Sequence, residues 1–425
     1  MKLFTKIILT GLFLTLLIPV TRSFGQTSTV SPYSRFGPGD LLFNGYAHQQ
    51  GMGGVSYAAT STGRLNFSNP SSYAFDTLMV LEFGLNSLAM NQKQGGAHHN
   101  QNNTNIDYLA IGFPLMKNKW GLSFGIIPFS GAGYKVATSN PIDSSGSYTS
   151  RFNGTGGFTR YFVGTGFKLN KHFSLGANAS YLYGTVNRIR KVEFTNSNFF
   201  NTQYQDGLNI GDFYFELGAN YKTKINSKYD FSIGLTGAPA QGLRSKKSVL
   251  WQNYVLNAVG SESMRDTVQY IEDVKGITKL PMALGLGFML SHSAHWDLGL
   301  DFSYQDWSHY RSFGRQDTLS NSFGVALGGQ LTPDAKGNYA SRTQYRAGVY
   351  FHRTFLDLKD TPLNDEGFSI GVGLPLRKAF QSMINISLQA GQRGTTSNDL
   401  ISEKYLRLAI GFTFNEDWFR KRKFD

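Results

Sequence analysis

The stretch of sequence that decides the fold class runs from Phe173 to Tyr183 and reads FSLGANASYLY. Its odd-numbered positions carry Phe, Leu, Ala and Tyr, whereas its even-numbered positions up to residue 180 carry Ser, Gly and Asn. Successive side chains of a β-strand point to opposite faces, so this alternation predicts a strand with one apolar and one small or polar face. Its length matches the roughly 9–11 residues that a tilted strand needs to cross a bilayer.

The same alternation recurs along the chain, and the connections between the segments alternate between short turns and long polar loops. Short periplasmic turns, long outer loops and an even strand number are typical of bacterial outer-membrane barrels. We therefore predict an all-β fold, a transmembrane antiparallel β-barrel of about 14 strands. A soluble β-sandwich is the alternative, but it predicts shorter strands and no such loop alternation. The candidate strands are Leu78–Met90, Thr104–Leu115, Lys119–Ser130, Gly157–Leu169, Lys171–Val186, Ile210–Ile225, Lys228–Gly237, Lys279–Ser291, Ala294–Trp307, Asn321–Leu331, Ala340–Thr354, Glu366–Leu376, Ser382–Arg393 and Ser402–Phe414.

The composition suits a wall that faces lipid. Only 16% of the 425 residues are charged, and the chain has 48 Gly, 34 Phe and 22 Tyr. The absence of Cys excludes disulfides, zinc–thiolate sites and thiol catalysis. The net charge of +13 arises from basic residues scattered over the predicted loops, so we expect no nucleic-acid partner.

The N-terminus has the order of segments found in secretory signal peptides. Lys2 and Lys6 precede the apolar run Ile7–Ile18, which is too short to span a bilayer, and small residues follow it. We predict a signal peptide, with an uncleaved anchor as the alternative. Export of a barrel predicts the outer membrane of a Gram-negative bacterium, with outer-membrane lipid as a partner. The predicted divisions are the signal peptide at 1–25, an N-terminal hatch at 26–77, the barrel at 78–414 and a basic tail at 415–425.

The segment before the first strand is rich in turn signals. It contains Gly51-Met52-Gly53-Gly54 and Asn69-Pro70. A barrel of this size encloses a lumen wider than its own inward side chains can fill. We expect the segment to be a hatch that plugs the lumen, with these six residues at the gate. A disordered periplasmic tail is the alternative.

Several motifs resemble the FadL/TodX family of outer-membrane transport proteins for hydrophobic compounds. Gly51–Val55 followed by Asn69–Ser71 resembles the family's hatch, with Ser71 where Ala is usual. Asp301–Ser308, which reads DFSYQDWS, resembles its aromatic strand ending in Trp-Ser. Phe323–Pro333 followed by Arg346-Ala347-Gly348 resembles the next strand pair. The basic residues beyond Phe414 depart from the pattern. The resemblance implies a 14-strand barrel with a hatch, capture of hydrophobic ligands outside, and their lateral exit through a kinked third strand.

The third predicted strand has a feature that matches such a kink. Pro128 cannot donate a ladder hydrogen bond, and Gly131 and Gly133 weaken pairing nearby. A closed barrel has no free edge, so a local break that opens the wall is one interpretation. The other is that Pro128 ends the strand at the outer rim.

Charged residues of the hatch and of the inward strand faces suggest contacts between the two. We expect Arg35 or Arg64 of the hatch to pair with Glu216 or Asp301 of the wall. Simple hydration of these groups in the lumen is the alternative.

No catalytic or metal site is expected. Gly121–Gly125 and Gly367–Gly371 match Gly-x-Ser-x-Gly, but both lie within predicted strands rather than at a strand-to-helix turn. His98 and His99 lie in a polar loop without a nearby carboxylate. We thus predict no enzyme and no cofactor, but a monomeric channel for passive uptake of small hydrophobic molecules, either fatty-acid-like or aromatic. The alternative is a non-transporting barrel subunit of an outer-membrane secretion or surface assembly.

Overall fold

The computed structural model describes residues 29–42, 45–142, 146–196, 198–257, 259–293, 295–376 and 382–417. The predicted signal peptide, residues 1–25, and most of the predicted basic tail lie outside the described residues.

Fourteen antiparallel strands form one closed sheet, so the predicted all-β, 14-strand transmembrane barrel is confirmed. Each strand pairs with its successor, and the last pairs with the first from Met79↔Glu416 to Lys93↔Ser402, which closes the barrel. The strands are β1 (Met79–Gln94), β2 (Ala97–Met116), β3 (Trp120–Gly131), β4 (Gly146–Lys168), β5 (Phe173–Phe194), β6 (Asn201–Lys224), β7 (Tyr229–Ala238), β8 (Ala283–His292), β9 (Trp296–Gln305), β10 (Ser322–Leu331), β11 (Gln344–Leu358), β12 (Thr361–Pro375), β13 (Met383–Arg393) and β14 (Ser402–Glu416).

The faces of the wall follow the alternation in the sequence. In β5, Phe173, Leu175 and Tyr183 are about half exposed on the outer face, whereas Ser174 and Asn178 are buried on the inner face. Outward apolar side chains on most strands form a belt of the kind that contacts lipid. The ladder hydrogen bonds pair the backbone groups that such an environment could not solvate.

The segments predicted as long polar loops on the outer side are largely strands, so that part of the prediction is wrong. They lengthen β2, β4, β5 and β6 beyond the apolar belt, and they contain three further strands. Both faces of these extensions meet water, so polar residues occupy both and the alternation disappears from the sequence. The ladders nevertheless continue from the belt without interruption between β4, β5 and β6. The further strands are Tyr134–Ile142, Gln241–Leu256 and Glu262–Leu280.

The remaining elements are short. Two-residue strands occur at Asp40–Leu41, Arg311–Ser312 and Arg315–Gln316, and one-turn α-helices occur at Ala47–Gln50 and Tyr339–Arg342. The 3₁₀-helices are Pro32–Arg35, Pro70–Phe75, Trp307–His309 and Ser397–Asp399. Within the part of the chain that the structure describes, no helix has the length and apolar character needed to cross a membrane.

Candidate functional site

The N-terminal segment, residues 29–42 and 45–78, lies inside the barrel. Its backbone rests directly on glycines of the inner wall. A side chain at Gly176 of β5 would overlap the backbone of Pro70, and one at Gly234 of β7 would overlap that of Tyr57. The small residues on the inward faces therefore allow a backbone-to-backbone approach that other residues would block.

The Gly51–Gly54 stretch follows the helix Ala47–Gln50 and lies against β10, β11 and β12. Gly53 and Gly54 have φ angles of +71° and +90°, a region in which a side chain would be strained. The Gly53 N–H donates to Ser369 Oγ at 2.8 Å. Met52 is buried in an apolar cluster made by both the segment and the wall.

We name the end of the barrel that carries the short turns, such as β2–β3 and β4–β5, the short-turn end. Asn69 and Pro70 anchor the segment near this end. The Asn69 side chain is fully buried, and its Oδ1 accepts hydrogen bonds from the Ser71 N–H and hydroxyl. Its Nδ2 donates to the carbonyl of Tyr57 at 2.7 Å and to that of Ala219 on β6 at 3.1 Å. One amide thus joins two parts of the segment to the wall.

Asp301 of β9 holds the segment through backbone donors. Its Oδ2 accepts from the N–H of Ser56 at 2.6 Å and from that of Tyr57 at 2.9 Å. Arg64 reaches the wall through neutral groups, since it donates to Gln330 at 3.0 Å and to Gln344.

The ion pairs expected between the segment and the wall are therefore not those of the structure. Glu216 binds Arg160 of β4 at 3.0 Å instead. Arg35 is exposed, and its guanidinium lies 4.6 Å from the centre of the Phe36 ring. Two strands hold a cation and an anion at fixed positions, so a pair within the wall forms with little loss of side-chain freedom.

His48 lies in the tightly packed short-turn half of the lumen and is 7% exposed. A cavity of about 20 Å³ beside it is lined by Arg64, Asp297 and Gln330. Burial lowers the pKa of His48 well below its usual value, and the positive charges of Arg64 and Arg346 add to this effect. The histidine is therefore neutral at neutral pH.

We name the opposite end, which carries hairpins such as Gln241–Leu256 with Glu262–Leu280, the long-hairpin end. The first residues of the segment, 29–42, form a roof near it. Arg393 of β13 donates to Asp40 in this roof at 3.1 Å and to Glu403 of β14 at 2.6 Å. Ser31 Oγ donates to the same Glu403 at 2.7 Å. Burial raises the pKa of Tyr33 to about 12, so its hydroxyl remains a donor to a carbonyl beside β14. We name the Asp40–Arg393–Glu403 group the roof cluster.

A cavity of about 680 Å³ lies below this roof, and residues Gly53, Gly54, Ser56 and Tyr57 form its floor. Its walls combine apolar and charged side chains. Arg407 of β14 reaches it and donates to Gln389 at 3.2 Å. The lining includes Leu41, Leu88, Met90, Ile106, Asp107, Pro128, Phe323, Tyr350, His352, Phe355, Leu356, Asp365 and Arg407.

Strands β2 and β3 separate beside this cavity. Their ladder ends at Leu109↔Ile126, and among the described residues the rest of β3 has no partner on β2. Asp107 forms a bulge in β2 at the same level and accepts a hydrogen bond from Gln50 of the segment at 2.9 Å. Ile106 and Pro128, on the two sides of this gap, both line the cavity.

The predicted break at Pro128 coincides with a register shift in the ladder to β4, between Pro128 and Ser130. β3 then continues to Gly131, where the roof strand Asp40–Leu41 pairs with its free edge. Gly133 follows the strand and donates to Ser34 Oγ at 3.0 Å. The roof thus replaces β2 as the neighbour of the outer end of β3.

Sequence reasoning did not find the roof cluster, Asp107 or Arg160. For the members on the wall, the only signal is a charged residue at an inward position of a strand, which many hydrated barrel residues share. Asp40 lies in the N-terminal segment, where no periodic pattern marks it. The serines of both Gly-x-Ser-x-Gly motifs are in strands and bind backbone groups, Ser123 with the carbonyl of Ile111 and Ser369 with Gly53. His98 and His99 are exposed on β2. Across the described ranges, no group of three or more His, Asp or Glu side chains could hold a metal ion.

The fold is similar to that of several solved outer-membrane channels. The monoaromatic hydrocarbon channel CymD aligns with a TM-score of 0.57 and 14% identity over 89% of this chain and 99% of its own. The Ralstonia pickettii toluene transporter TbuX aligns with a TM-score of 0.55 and 11% identity, over 87% of this chain and 98% of its own. A Pseudomonas aeruginosa FadL homologue aligns with a TM-score of 0.55 and 10% identity, over 89% of this chain and 99% of its own.

At these identities the similarity establishes the fold, which is that of outer-membrane barrels. No curated protein sequence matches the chain. The sequence model of one family, BamG, does match, and it does so over residues 4–425. This name differs from that of the FadL/TodX family suggested by the motifs, whose members share the fold. Because the match spans nearly the whole sequence, the chain belongs to the BamG family.

Proposed function

We propose that this barrel is a passive channel through which small hydrophobic molecules enter from outside the outer membrane. The observation that carries the proposal is the cavity of about 680 Å³ beside the gap between β2 and β3. Its volume lies in the range of about 300–1,000 Å³ that is usual for small-molecule sites.

The segment supplies both boundaries of this cavity. The floor rests on wall glycines and blocks the direct path to the short-turn end. The roof is held by side-chain contacts such as the roof cluster and by the two-residue pairing of Asp40–Leu41 with β3, and both can break and re-form. A ligand would enter as the roof loosens and leave sideways between β2 and β3, near Pro128. In this proposal Gly51–Gly54, Asn69 and Pro70 keep the floor closed.

The lining favours ligands that carry a polar group on an apolar body. Apolar surface drives entry, at about 25 cal/mol per Å² removed from water. Arg407 has no carboxylate within ion-pair distance among the described residues, so it can accept an anionic group of the ligand. Fatty-acid-like molecules meet both requirements, and aromatic molecules meet the first.

Native mass spectrometry of the protein purified in mild detergent tests the proposal. We expect a retained small hydrophobic molecule, which Ser303→Trp displaces by filling the cavity. Ser87→Trp adds the same bulk outside the barrel and serves as the matched control. An empty wild-type cavity, or equal retention by both variants, would contradict the channel.

One observation favours a second function, that of a subunit in an outer-membrane assembly. The strand Glu262–Leu280 pairs with its hairpin partner on one side, but on the other only Thr278 and Lys279 pair with a described strand. The unpaired edge carries exposed apolar residues, among them Met264 at 62% and Tyr270 at 63%. Such an edge accepts a strand of another protein by β-augmentation.

Photo-crosslinking in cells tests this second function. A crosslinker at Tyr270 should give one discrete adduct, whereas one at the equally exposed Phe200 should give none. Equal patterns at both positions would exclude the edge as an assembly contact. An adduct at Tyr270 together with an empty cavity would favour the assembly subunit over the channel.

A further inference from the structure

Lysines are concentrated at the short-turn end of one sector of the barrel. They lie on the turns β2–β3, β4–β5 and β6–β7 and at the strand ends beside them. The turns are contiguous, since the Lys168 N–H donates to the carbonyl of Lys119 and the Lys222 N–H to that of His172, both at 2.8 Å. We name this group the lysine rim; its members are Lys117, Lys119, Lys168, Lys171, Lys222, Lys224 and Lys228.

Few carboxylates balance this charge. Lys117 lies 3.4 Å from Asp417 and Lys222 lies 3.6 Å from Asp230, but the other rim lysines have no carboxylate within 4.0 Å among the described residues. Most are exposed. The lysine rim is therefore a surface of net positive charge.

The basic residues at the opposite end of the same sector are arranged differently. Arg151 pairs with Glu193 at 2.6 Å, Lys246 pairs with Asp273 at 2.6 Å, and Lys191 pairs with Glu262. These pairs offset part of the positive charge at the long-hairpin end, where Lys135 and Lys275 have no carboxylate within 4.0 Å among the described residues. Carboxylates therefore offset the positive charge less at the lysine rim than at the long-hairpin end.

Aromatic residues next to the rim show its depth in the membrane. Trp120, Phe167, Phe173 and Tyr221 lie one or two residues from rim lysines, and the Lys119 ammonium is 5.8 Å from the centre of the Phe167 ring. Belts of aromatic residues mark the two interfaces of a membrane barrel, and short turns face the periplasm. The exposed rim lysines therefore lie at the headgroups of the periplasmic leaflet. Lys168 and Lys222 instead point inward, where their ammonium groups contact Phe75 and Thr60 of the N-terminal segment.

We propose that the lysine rim binds anionic phospholipid of the periplasmic leaflet of the outer membrane. Ammonium groups pair with the phosphates, while the aromatic belt and exposed residues such as Leu169 and Ile225 contact the acyl chains. Basic clusters at a membrane surface attract anionic lipid in this way. The proposal does not depend on transport, because the exposed rim lysines lie at the end of the barrel, away from the cavity of about 680 Å³.

Native mass spectrometry from mixed micelles of phosphatidylglycerol and phosphatidylcholine tests this proposal. We expect the wild type to retain phosphatidylglycerol preferentially. The variant with Lys117, Lys171, Lys224 and Lys228 changed to Gln should retain about tenfold less phosphatidylglycerol than the wild type, or less still. The matched control changes Lys135, Lys246, Lys275 and Lys359 to Gln at the opposite end, removes the same charge, and should change retention less than about twofold.

Folding of each variant is checked by the heat-dependent shift of the barrel on denaturing gels, which is independent of lipid retention. If a folded rim variant retains as much phosphatidylglycerol as the control, or if the wild type does not discriminate between the lipids, the proposal is overturned. If the fourfold variant does not fold, the single variants Lys171→Gln and Lys275→Gln provide the same comparison, with a smaller expected loss.

Discussion

The two halves of the lumen differ in how they are filled. In the short-turn half, the backbone of the N-terminal segment lies on wall glycines and leaves a cavity of only about 20 Å³ beside His48. In the long-hairpin half, the roof is held by the roof cluster and by the short pairing of Asp40–Leu41 with β3, and it covers a cavity of about 680 Å³. In our proposal, the first arrangement is a fixed seal, because the segment lies on glycines of many strands and cannot shift without moving the wall. In our proposal, the second is a compartment with a cover that can be released.

The largest expected effect comes from breaking the seal. In Gly234→Val, the new side chain overlaps the carbonyl of Tyr57, so the segment cannot pack against the wall. We expect nearly all of the folded barrel to be lost. Gly96→Val is the control, because a Cβ there meets nothing within 4 Å. The amount of heat-modifiable barrel in outer membranes measures the effect. Equal yields of the two variants would show that the seal tolerates a side chain.

The roof should be released without loss of the seal. Arg393→Gln leaves Asp40 and Glu403 buried without their cation, at a cost on the order of 3 kcal/mol. We expect protease cleavage within residues 29–42 while residues 45–78 remain protected, as peptide mapping can show. Lys359→Gln breaks an exposed pair with Asp399 and should have almost no effect. Equal cleavage in both variants would show that the roof cluster does not hold residues 29–42 in place.

Ligand selection by the cavity should change when Arg407 is replaced. Arg407→Gln removes a charged hydrogen-bond donor, worth about 1.5–3 kcal/mol, and should weaken retention of a long-chain carboxylate by about tenfold or more. Retention of a neutral aromatic compound should not change. Lys404→Gln, on the same strand but exposed, is the control. A parallel loss of both ligands in Arg407→Gln would contradict a role in anion binding.

The smallest expected effect concerns pH in the seal. The pKa of His48 is lower in the folded than in the unfolded protein, so the unfolded state gains a proton first as the pH falls. The free energy of unfolding therefore decreases as the pH falls below the unfolded pKa of this histidine, about 6.5. Unfolding midpoints in denaturant from pH 7.5 to 5 should fall more steeply for the wild type than for His48→Gln. Identical slopes would show that His48 is accessible to protons.

The sequence predicted the wall better than its contents. All fourteen strands follow from alternation as in Phe173–Tyr183, because lipid on one side imposes a strict pattern. The outer extensions such as Glu262–Leu280 were missed because water on both faces imposes none. In the lumen, Asp301 was identified as a contact of the segment, but its partners are backbone N–H groups of Ser56 and Tyr57. Any sequence has such groups, so no pattern of side chains could predict them.

The path of the N-terminal segment has a consequence for how the barrel is assembled. Residues 29–42 lie near the long-hairpin end, whereas Asn69 and Pro70 lie near the short-turn end, directly before β1. The segment contacts glycines of strands around the whole wall, with little space for it to slide in afterwards. Closure requires only that β14 pair with β1. We therefore expect the strands to wrap around the segment, which would act as an internal template that sets the register of the last pairing.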